Sequence, residues 1–171
     1  LPEVCVAHRQ SVRHHRLSTS GFGVGGVDIR GRVDDPLTAA MVERLGRAIA
    51  ATAMEHGHER VAVGRDGRHS SPRLTQALVA GLTASGCDVI DVGAMPTPVL
   101  YFAALESASG TGVMVTGSHN GPDYNGLKVM IGGEILAGDA IQALGRRATE
   151  ADTAAAVAGT VHCRDIAHEY I

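Results

Sequence analysis

The sequence has 171 residues, of which 44% are hydrophobic and only 3% aromatic, and its formal net charge is -3 with histidine neutral. This length and apolar content fit one folded domain and exclude a disordered chain. The longest run without a charged side chain, from Ser107 to Pro122, is rich in Gly, Ser and Thr, so we expect no membrane span. The few aromatic residues and the slightly acidic balance argue against nucleic acid as a partner.

The first 20 residues differ in composition from the rest of the chain, because three arginines and three histidines stand there against one glutamate. An Arg- and Ser-rich start is found in organelle transit peptides, but no apolar helical face accompanies it, so we predict a flexible basic arm over residues 1–20. Metal binding by His8, His14 and His15 is disfavoured, since no acidic or thiolate partner is nearby.

The cysteines are three in number and far apart, at Cys5, Cys87 and Cys163, and none has CxxC spacing. This pattern argues against a disulfide scaffold and against a cysteine-based zinc site. It favours a reducing compartment, and we therefore expect a cytoplasmic protein.

From about residue 22 onward, short apolar strands alternate with helical patterns. The first helix is predicted to begin at Asp35-Pro36 and to end at Gly57, because Pro loses no needed donor at a first helical position and Gly readily ends a helix. Further helices are predicted from Ser71-Pro72 to Gly86, from Pro96 toward Glu106, and over residues 138–149. The predicted strands are Arg60–Gly64, Cys87–Val92, Gly112–Thr116 and Leu127–Ile131.

This alternation predicts an α/β fold in three layers, with a mostly parallel sheet and helices on both faces. A tight turn at Gly132-Gly133 predicts one antiparallel edge strand. The domain is expected over residues 21–150, followed by residues 151–171 as a linker and the start of a second domain. In such folds ligands bind beyond the carboxyl ends of the strands, which directs attention to the loops at that edge.

The polar loop before the last predicted strand is the strongest candidate site. It places Ser118, His119, Asn120 and Asn125 within eight residues, among glycines that permit tight backbone geometry, and Lys128 adds a cation at the same edge. Such a loop can present a hydroxyl to a ligand and hold phosphate oxygens with its backbone N–H groups. The same residue types also form ordinary solvated turns, which is the alternative.

An earlier loop, Gly64-Arg65-Asp66-Gly67-Arg68, carries two further cations. Its arginines could hold a carboxylate or phosphate bidentately, or either of them could pair with Asp66 and stiffen the loop. Arg30, in Asp28-Ile-Arg30-Gly31, supplies another cation, for which a simple salt bridge is again the alternative.

Two other patterns lack the context that their functions require. Residues 21–26 match G-x-G-x-x-G, but a basic arm precedes them and no helix start follows, which disfavours a nucleotide-binding oxidoreductase. Thr116 stands where the hydrolase pattern G-x-S-x-G needs its first glycine, which disfavours a hydrolase nucleophile elbow at Ser118.

Four motifs occur in a recognisable order along the chain. They are Asp28-Ile-Arg-Gly31; Gly64-Arg-Asp-Gly-Arg68 with Ser70-Ser-Pro72; Pro96-Thr-Pro98; and Thr116-Gly-Ser-His-Asn120 with Asp123-Tyr-Asn-Gly126 and Lys128. Together they closely resemble the α-D-phosphohexomutase superfamily, and within it the bacterial phosphomannomutase/phosphoglucomutase branch. The resemblance extends from about residue 22 to the end of the chain.

The resemblance implies the N-terminal domain of a four-domain enzyme that interconverts hexose 1-phosphate and 6-phosphate, of mannose or glucose, through a bisphosphorylated sugar. It implies that Ser118 is phosphorylated and that His119, Arg30 and Lys128 belong to the catalytic centre. We further predict substrate or phosphate binding by Arg65, Asn120 and Asn125. The expected ligands are hexose phosphates and hexose 1,6-bisphosphate.

The family's Mg²⁺ is held by the phosphoserine and by three aspartates of a D-G-D-G-D loop in the second domain, which makes Ser118 a predicted metal ligand. No D-G-D-G-D sequence occurs in this chain. The chain also begins with Leu, and we therefore expect a domain fragment that needs the C-terminal domains of the same enzyme and is inactive alone. The alternative is a non-catalytic phosphate- or partner-binding module left from such an enzyme.

Two residues depart from the family pattern. Gly121 stands where Pro usually follows Ser-His-Asn, which should loosen the loop. Val27 stands where an aromatic residue usually precedes Asp-Ile-Arg-Gly, which removes a side chain that could line the sugar site. Both departures concern substrate placement more than the fold.

Overall fold

The computed structural model describes residues 23–26, 28–107, 109–150, 155 and 157–171. The predicted basic arm with its histidines, and Val27, lie outside these residues. The strands are β1 (Gly23–Gly25), β2 (Asp28–Arg32), β3 (Arg60–Arg65), β4 (Asp88–Ala94), β5 (Gly112–Val115), β6 (Tyr124–Ile131), β7 (Glu134–Ile135) and β8 (Val161–Cys163). The helices are α1 (Ala39–Glu55), α2 (Ser71–Ala84), α3 (Thr97–Glu106), α4 (Gly138–Glu150) and α5 (Ala167–Tyr170).

All of these strands belong to one sheet, in the order β1-β2-β6-β5-β3-β4-β8, with β7 paired to β6. Neighbours β5, β3, β4 and β8 are parallel, whereas β6 runs antiparallel between β5 and β2. β1 pairs antiparallel with β2, and β7 pairs antiparallel with β6. Six of the eight described strands therefore run in one direction: β2, β3, β4, β5, β7 and β8. The predicted α/β class with a mostly parallel sheet is confirmed. Its antiparallel edge is wider than a single strand, since residues 23–32 add β1 and β2.

The two faces of the sheet carry separate apolar cores. Val113 and Val115 face a cluster that includes buried side chains of α1, α2 and α4, whereas Met114 between them faces a cluster under α3. Successive residues of a strand point to opposite faces, so this alternation shows that helices cover both sides. The predicted three-layer arrangement is confirmed.

Most helix boundaries agree with the prediction. α2 and α3 each have a proline in their first turn, as predicted. The predicted start of α1 at Asp35-Pro36 is wrong: these residues form a turn, and the helix begins at Ala39. Thr38 caps it, because its hydroxyl accepts a hydrogen bond from the N–H of Met41 at 3.1 Å.

The C-terminal part of the described chain joins the same sheet. β8, inside the segment predicted to start a second domain, pairs parallel with β4, and Ile166 is fully buried in the core under α3. The domain boundary itself stays a prediction. No helix in the described ranges has both the length and the apolar character needed to cross a bilayer.

The glycine-rich start of the described chain is a strand, not a phosphate-binding turn. Gly23–Gly25 forms β1 and pairs with β2 in an antiparallel ladder, and no helix starts there. The dinucleotide-binding pattern requires a helix at that point, and the geometry therefore agrees with the sequence-based rejection.

Candidate functional site

The loop of residues 116–123, which we call the Ser118 loop, follows the carboxyl end of β5. Ser118 adopts a left-handed backbone conformation with φ of 52°, and its N–H donates to the hydroxyl of Thr116 at 2.9 Å. Both Ser118 and His119 are exposed, and Ser118 Oγ lies 3.3 Å from His119 Nδ1. A non-glycine residue in this region is uncommon and is held there by its surroundings. The loop thus presents a hydroxyl and an imidazole together to solvent.

A cluster of ionic side chains lies on β2 and β6. The Asp28 carboxylate binds the Arg30 guanidinium with one oxygen and the Lys128 ammonium, at 2.7 Å, with the other. The register that pairs Ile29 with Leu127 sets Asp28, the first residue of β2, opposite Lys128 in the middle of β6. Arg30 is only 2% exposed, and Asp28 is also buried. Two cations against one carboxylate leave this cluster with a positive charge.

Asn120 connects this cluster to the Ser118 loop, because Arg30 Nη1 donates to its side-chain oxygen at 3.1 Å. Arg30 Nε is buried without a hydrogen-bond partner among the described residues. The structure therefore brings five of the predicted site residues into one connected set: Ser118, His119, Asn120, Arg30 and Lys128.

Arg65, which is predicted to bind substrate or phosphate, and Arg68 of the same loop have different surroundings. Arg65 ends β3 beside Val115 of β5, and its half-buried guanidinium makes no hydrogen bond or ion pair within the described ranges. Arg68 instead pairs with Asp66, with Nε 3.2 Å from the carboxylate. Arg65 is therefore free to bind an anion, whereas Arg68 stiffens its loop.

Asn125 lies at the start of β6 and is fully buried. Its amide donates to the hydroxyls of Ser70 at 2.8 Å and Ser71 at 2.9 Å, and its oxygen accepts from the N–H of Gly126. These contacts support a role in joining β6 to the start of α2. Substrate binding by Asn125 stays a prediction.

Asp66 joins the two loops at this edge. Burial raises the pKa of its carboxyl, but hydrogen bonds from the Ser71 hydroxyl and from the N–H groups of Arg68 and Gly117 outweigh it and leave the pKa below its ordinary value. The Gly117 N–H donates to the carboxylate at 3.0 Å. An ionised Asp66 therefore ties the Ser118 loop to the loop that follows β3.

Two residues of the site were missed by sequence reasoning. Asp28 was noted only as a salt-bridge partner, although its position two residues before Arg30 on a strand puts both side chains on one face, and this spacing could have identified it. Tyr101 on α3 is half-buried, and burial together with the nearby Asp28 charge raises its pKa. No signal in the sequence indicated Tyr101.

The donor set does not complete a Mg²⁺ site on its own. Among the residues that the structure describes, no group of three or more His, Cys, Asp or Glu could hold a metal ion. The carboxylates of Asp28 and Asp66 are already bound by cations and N–H donors. We therefore derive no chemical step through a metal, and Ser118 as a metal ligand stays a prediction.

Comparison with known proteins agrees with this arrangement. The family described as "Phosphoglucomutase/phosphomannomutase, alpha/beta/alpha domain I" matches residues 22–155. A phosphoglucomutase of Neisseria meningitidis serogroup B is 51% identical over 146 residues, which cover 84% of this chain and 32% of that protein. A phosphomannomutase/phosphoglucomutase of Pseudomonas aeruginosa is 51% identical over 143 residues, covering 84% of this chain and 31% of its own length.

Solved structures show the same likeness. A phosphoglucomutase/phosphomannomutase family protein from Burkholderia thailandensis superimposes with a TM-score of 0.79 and 40% identity, over 85% of this chain and 33% of the other. The chain thus spans about a third of the length of the relatives that it matches. Because the family match covers most of the residues and includes every described element of the site, the chain belongs to the phosphoglucomutase/phosphomannomutase family, in which it corresponds to the α/β/α domain I.

Proposed function

We propose that Ser118 is the phosphoryl carrier of a phosphohexomutase and that this chain forms the domain that bears it. The observation that carries the proposal is the exposed Ser118 hydroxyl on a left-handed turn, connected through Asn120 to the buried cation Arg30. An acceptor hydroxyl needs access to substrate, and a transferring phosphoryl group needs fixed positive charge nearby. The site combines both.

The transfer itself is a displacement at phosphorus. Ser118 Oγ attacks a phosphoryl group of a hexose 1,6-bisphosphate, so that the Oγ–P bond forms while the bond from phosphorus to the sugar oxygen breaks. His119, whose Nδ1 lies 3.3 Å from Oγ, takes the hydroxyl proton and afterwards releases it to solvent. The leaving sugar oxygen takes one proton from water, so that the protons balance. In the full cycle the phosphoserine first gives its phosphoryl group to the free 6-hydroxyl of a hexose 1-phosphate, which forms the 1,6-bisphosphate. Ser118 then takes the 1-phosphoryl group of this intermediate, which leaves hexose 6-phosphate and restores the phosphoserine.

The cations have separate tasks in this scheme. Arg30 and Lys128, held by Asp28, stabilise the charge on the transferring phosphoryl group without having to reorganise. Arg65, whose guanidinium has no partner in the described part of the chain, binds the phosphate that stays on the substrate. Asn120 orients Arg30 through its side-chain oxygen.

The substrates that we propose are the phosphates of glucose or mannose, after the names of the relatives, which are phosphoglucomutases and phosphomannomutases. Since the relatives are about three times as long, we propose that further domains of the same enzyme supply the remaining sugar contacts and complete Mg²⁺ binding at the Ser118 phosphate. The chain alone should then show almost no mutase turnover, and turnover near that of the Pseudomonas aeruginosa relative would contradict this part of the proposal. We place the enzyme in the cytoplasm.

The role of Ser118 as phosphoryl carrier is tested by intact-mass analysis after incubation with glucose 1,6-bisphosphate. The chain is assayed alone and in a chimera in which it replaces the matching third of the Pseudomonas aeruginosa relative. We expect the mass of one phosphoryl group on the wild type and none on Ser118→Ala. Ser70→Ala, the same change at another hydroxyl of this edge, should still be phosphorylated.

Two results would overturn the proposal. One is a phosphate that persists in Ser118→Ala and maps to another serine. The other is the absence of phosphate in both the chain and the chimera, combined with calorimetric binding of the bisphosphate. That second result would favour a non-catalytic phosphate-binding module.

A further inference from the structure

The guanidinium of Arg68 is engaged inside the protein by one ion pair and four hydrogen bonds. Nε pairs with the Asp66 carboxylate at 3.2 Å. The four Nη–H groups donate to backbone carbonyls, three of them in the Ser118 loop (Ser118 at 2.9 Å, Asn120 at 2.7 Å and Gly121 at 2.6 Å) and one at the first residue of β6 (Tyr124 at 3.1 Å). Since all four Nη–H groups donate to carbonyls and Nε lies against the Asp66 carboxylate, Arg68 has no Nη–H left for a phosphate in this arrangement.

Gly117 is the residue that allows the guanidinium to lie against the loop. A Cβ atom at this position would be 2.4 Å from both Cζ and Nε of Arg68 and 2.7 Å from the Tyr124 carbonyl oxygen. Its N–H donates to Asp66, the same carboxylate that pairs with Arg68. The loop is therefore held at Gly117, its second residue, by a carboxylate and at its later residues by the guanidinium.

These contacts of Arg68 and Asp66 with the Ser118 loop, which we call the Arg68 clamp, act on the strained part of the loop. Ser118 has a φ of 52°, and a side-chain-bearing residue keeps such a conformation only when its surroundings impose it. Arg68 binds the carbonyl of Ser118 itself. Gly121 is in open space and brings backbone freedom into the loop, and its carbonyl makes the shortest of the four contacts with Arg68.

We propose that Arg68 is a positioning residue, which sets the backbone of the Ser118 loop so that the hydroxyl meets the transferring phosphoryl group in reactive geometry. The proposal rests on the function proposed for Ser118. A positioning role can be distinguished from a requirement for positive charge alone. A lysine ammonium is a compact cation with three donors and cannot reach four separate carbonyls and a carboxylate together. Arg68→Lys should therefore behave like Arg68→Ala.

The clamp is measured first without reference to activity, by amide hydrogen exchange of the chain. The amides to follow are hydrogen-bonded in the structure: those of Gly117, Ser118 and Asn120 in the loop and that of Tyr124, the first residue of β6. In Arg68→Ala and Arg68→Lys we expect their exchange to be at least about tenfold faster, with core strands unchanged, because only local opening is affected. Arg73→Ala is the matched control. Arg73 lies on α2, and its exposed ion pair with Asp34 does not involve the Ser118 loop.

The second readout is the rate of phosphoryl transfer from glucose 1,6-bisphosphate to Ser118, in whichever of the chain and the chimera is phosphorylated. Misplacing a nucleophile by about 1 Å costs on the order of 100-fold, so Arg68→Ala should lower the maximal rate by about that factor. The half-saturating concentration should stay within about twofold, because Arg68 touches no substrate. Arg65→Ala should show the opposite pattern, with a raised half-saturating concentration and a maximal rate that changes little.

Unchanged loop exchange in Arg68→Ala would overturn the inference, and so would full recovery of exchange and rate in Arg68→Lys. If the wild-type chain and chimera bind the bisphosphate but take no phosphate at Ser118, the proposed function is overturned instead, and the exchange experiment still decides whether the contacts of Arg68 hold the loop.

Discussion

Asp28 shows how single residues set the electrostatics of this site. It is buried, and each of its oxygens binds one cation, Arg30 or Lys128. Burying charges costs free energy unless they are paired and hydrogen-bonded, and here the pairing leaves one surplus positive charge. A cluster with that surplus is suited to an incoming phosphoryl group, since the protein has already lost the solvation of the cations during folding.

Asp66 should make the stability of the protein depend on pH in the acidic range. Its folded-state pKa lies below the ordinary 3.8, so its contribution is present above about pH 4 and is lost as the pH falls through the lowered pKa. Asp66→Asn should lower the free energy of unfolding by about 2 kcal/mol at pH 7, because charged hydrogen bonds are lost. The difference from wild type should shrink below pH 4.

Urea unfolding at a series of pH values measures this difference. Asp34→Asn is the control, because its ion pair with Arg73 is exposed and screened by solvent, and it should have a much smaller effect. A difference between wild type and Asp66→Asn that stays constant from pH 7 to pH 3 would contradict the assigned role.

Gly121→Pro should stabilise the protein. Gly121 has a φ outside the left-handed region, a Cβ there would meet nothing within 4 Å, and its N–H makes no hydrogen bond within the described ranges. A proline that fits the native backbone reduces the freedom of the unfolded chain, which stabilises by about 0.4–1 kcal/mol. Thermal unfolding measures the change, with Gly121→Ala expected to show a smaller gain. A loss of stability would mean that Asn120 cannot adopt the extended backbone preferred before proline.

At the residue scale, the sequence predicted which side chains meet but not what each of them does. Ser118, His119, Asn120, Arg30 and Lys128 form the connected set that motif reading proposed. The clamp by Arg68 could not be predicted, because its partners are about 50 residues away and a guanidinium bound to carbonyls has the same local sequence as one bound to phosphate.

At the scale of elements, local signals predicted what local forces decide. Prolines in the first turn predicted the starts of α2 and α3 correctly. The strands β1 and β8, of three residues each, carried no usable pattern. They exist because β2 and β4 offer them backbone partners, and pairing of this kind depends on tertiary context rather than on propensity.

The packing of α1 against α2 gives a prediction at this scale. A Cβ on Gly81 would lie 2.0 Å from the Glu43 carbonyl oxygen, so the two backbones are in direct contact. Gly81→Ala should lower the free energy of unfolding by about 1–3 kcal/mol, because overpacking outweighs the gain of about 1 kcal/mol in helix propensity. Urea unfolding is the measurement, with Gly67→Ala as the control in open space. A stabilised Gly81→Ala would contradict the close approach of the helices.

At the scale of the whole molecule, the two faces of the sheet are covered unequally. One face is buried by α1, α2 and α4, and the other mainly by α3. On the face covered by α3, the C-terminal segment buries further apolar surface. Ile166 is buried with Leu100 and Met114, and the ring of Tyr170 on α5 packs edge-on against Phe102, with ring centroids 5.5 Å apart. Residues that the sequence assigned to a following domain therefore help to complete the core of this one.

Ile166→Ala tests this dependence on the C-terminal segment. Ile166 is completely buried, so its truncation should lower the free energy of unfolding by about 2–4 kcal/mol through lost transfer energy and a new cavity. Ile171→Ala is the matched control, since that side chain is fully exposed and its loss should change stability by less than about 0.5 kcal/mol. Both are measured by urea unfolding, with the slope m compared as well. If the two variants were equally stable, β8 and α5 would not contribute to the folded unit. A large difference with unchanged m would mean that the segment unfolds together with the rest of the sheet, in one cooperative transition.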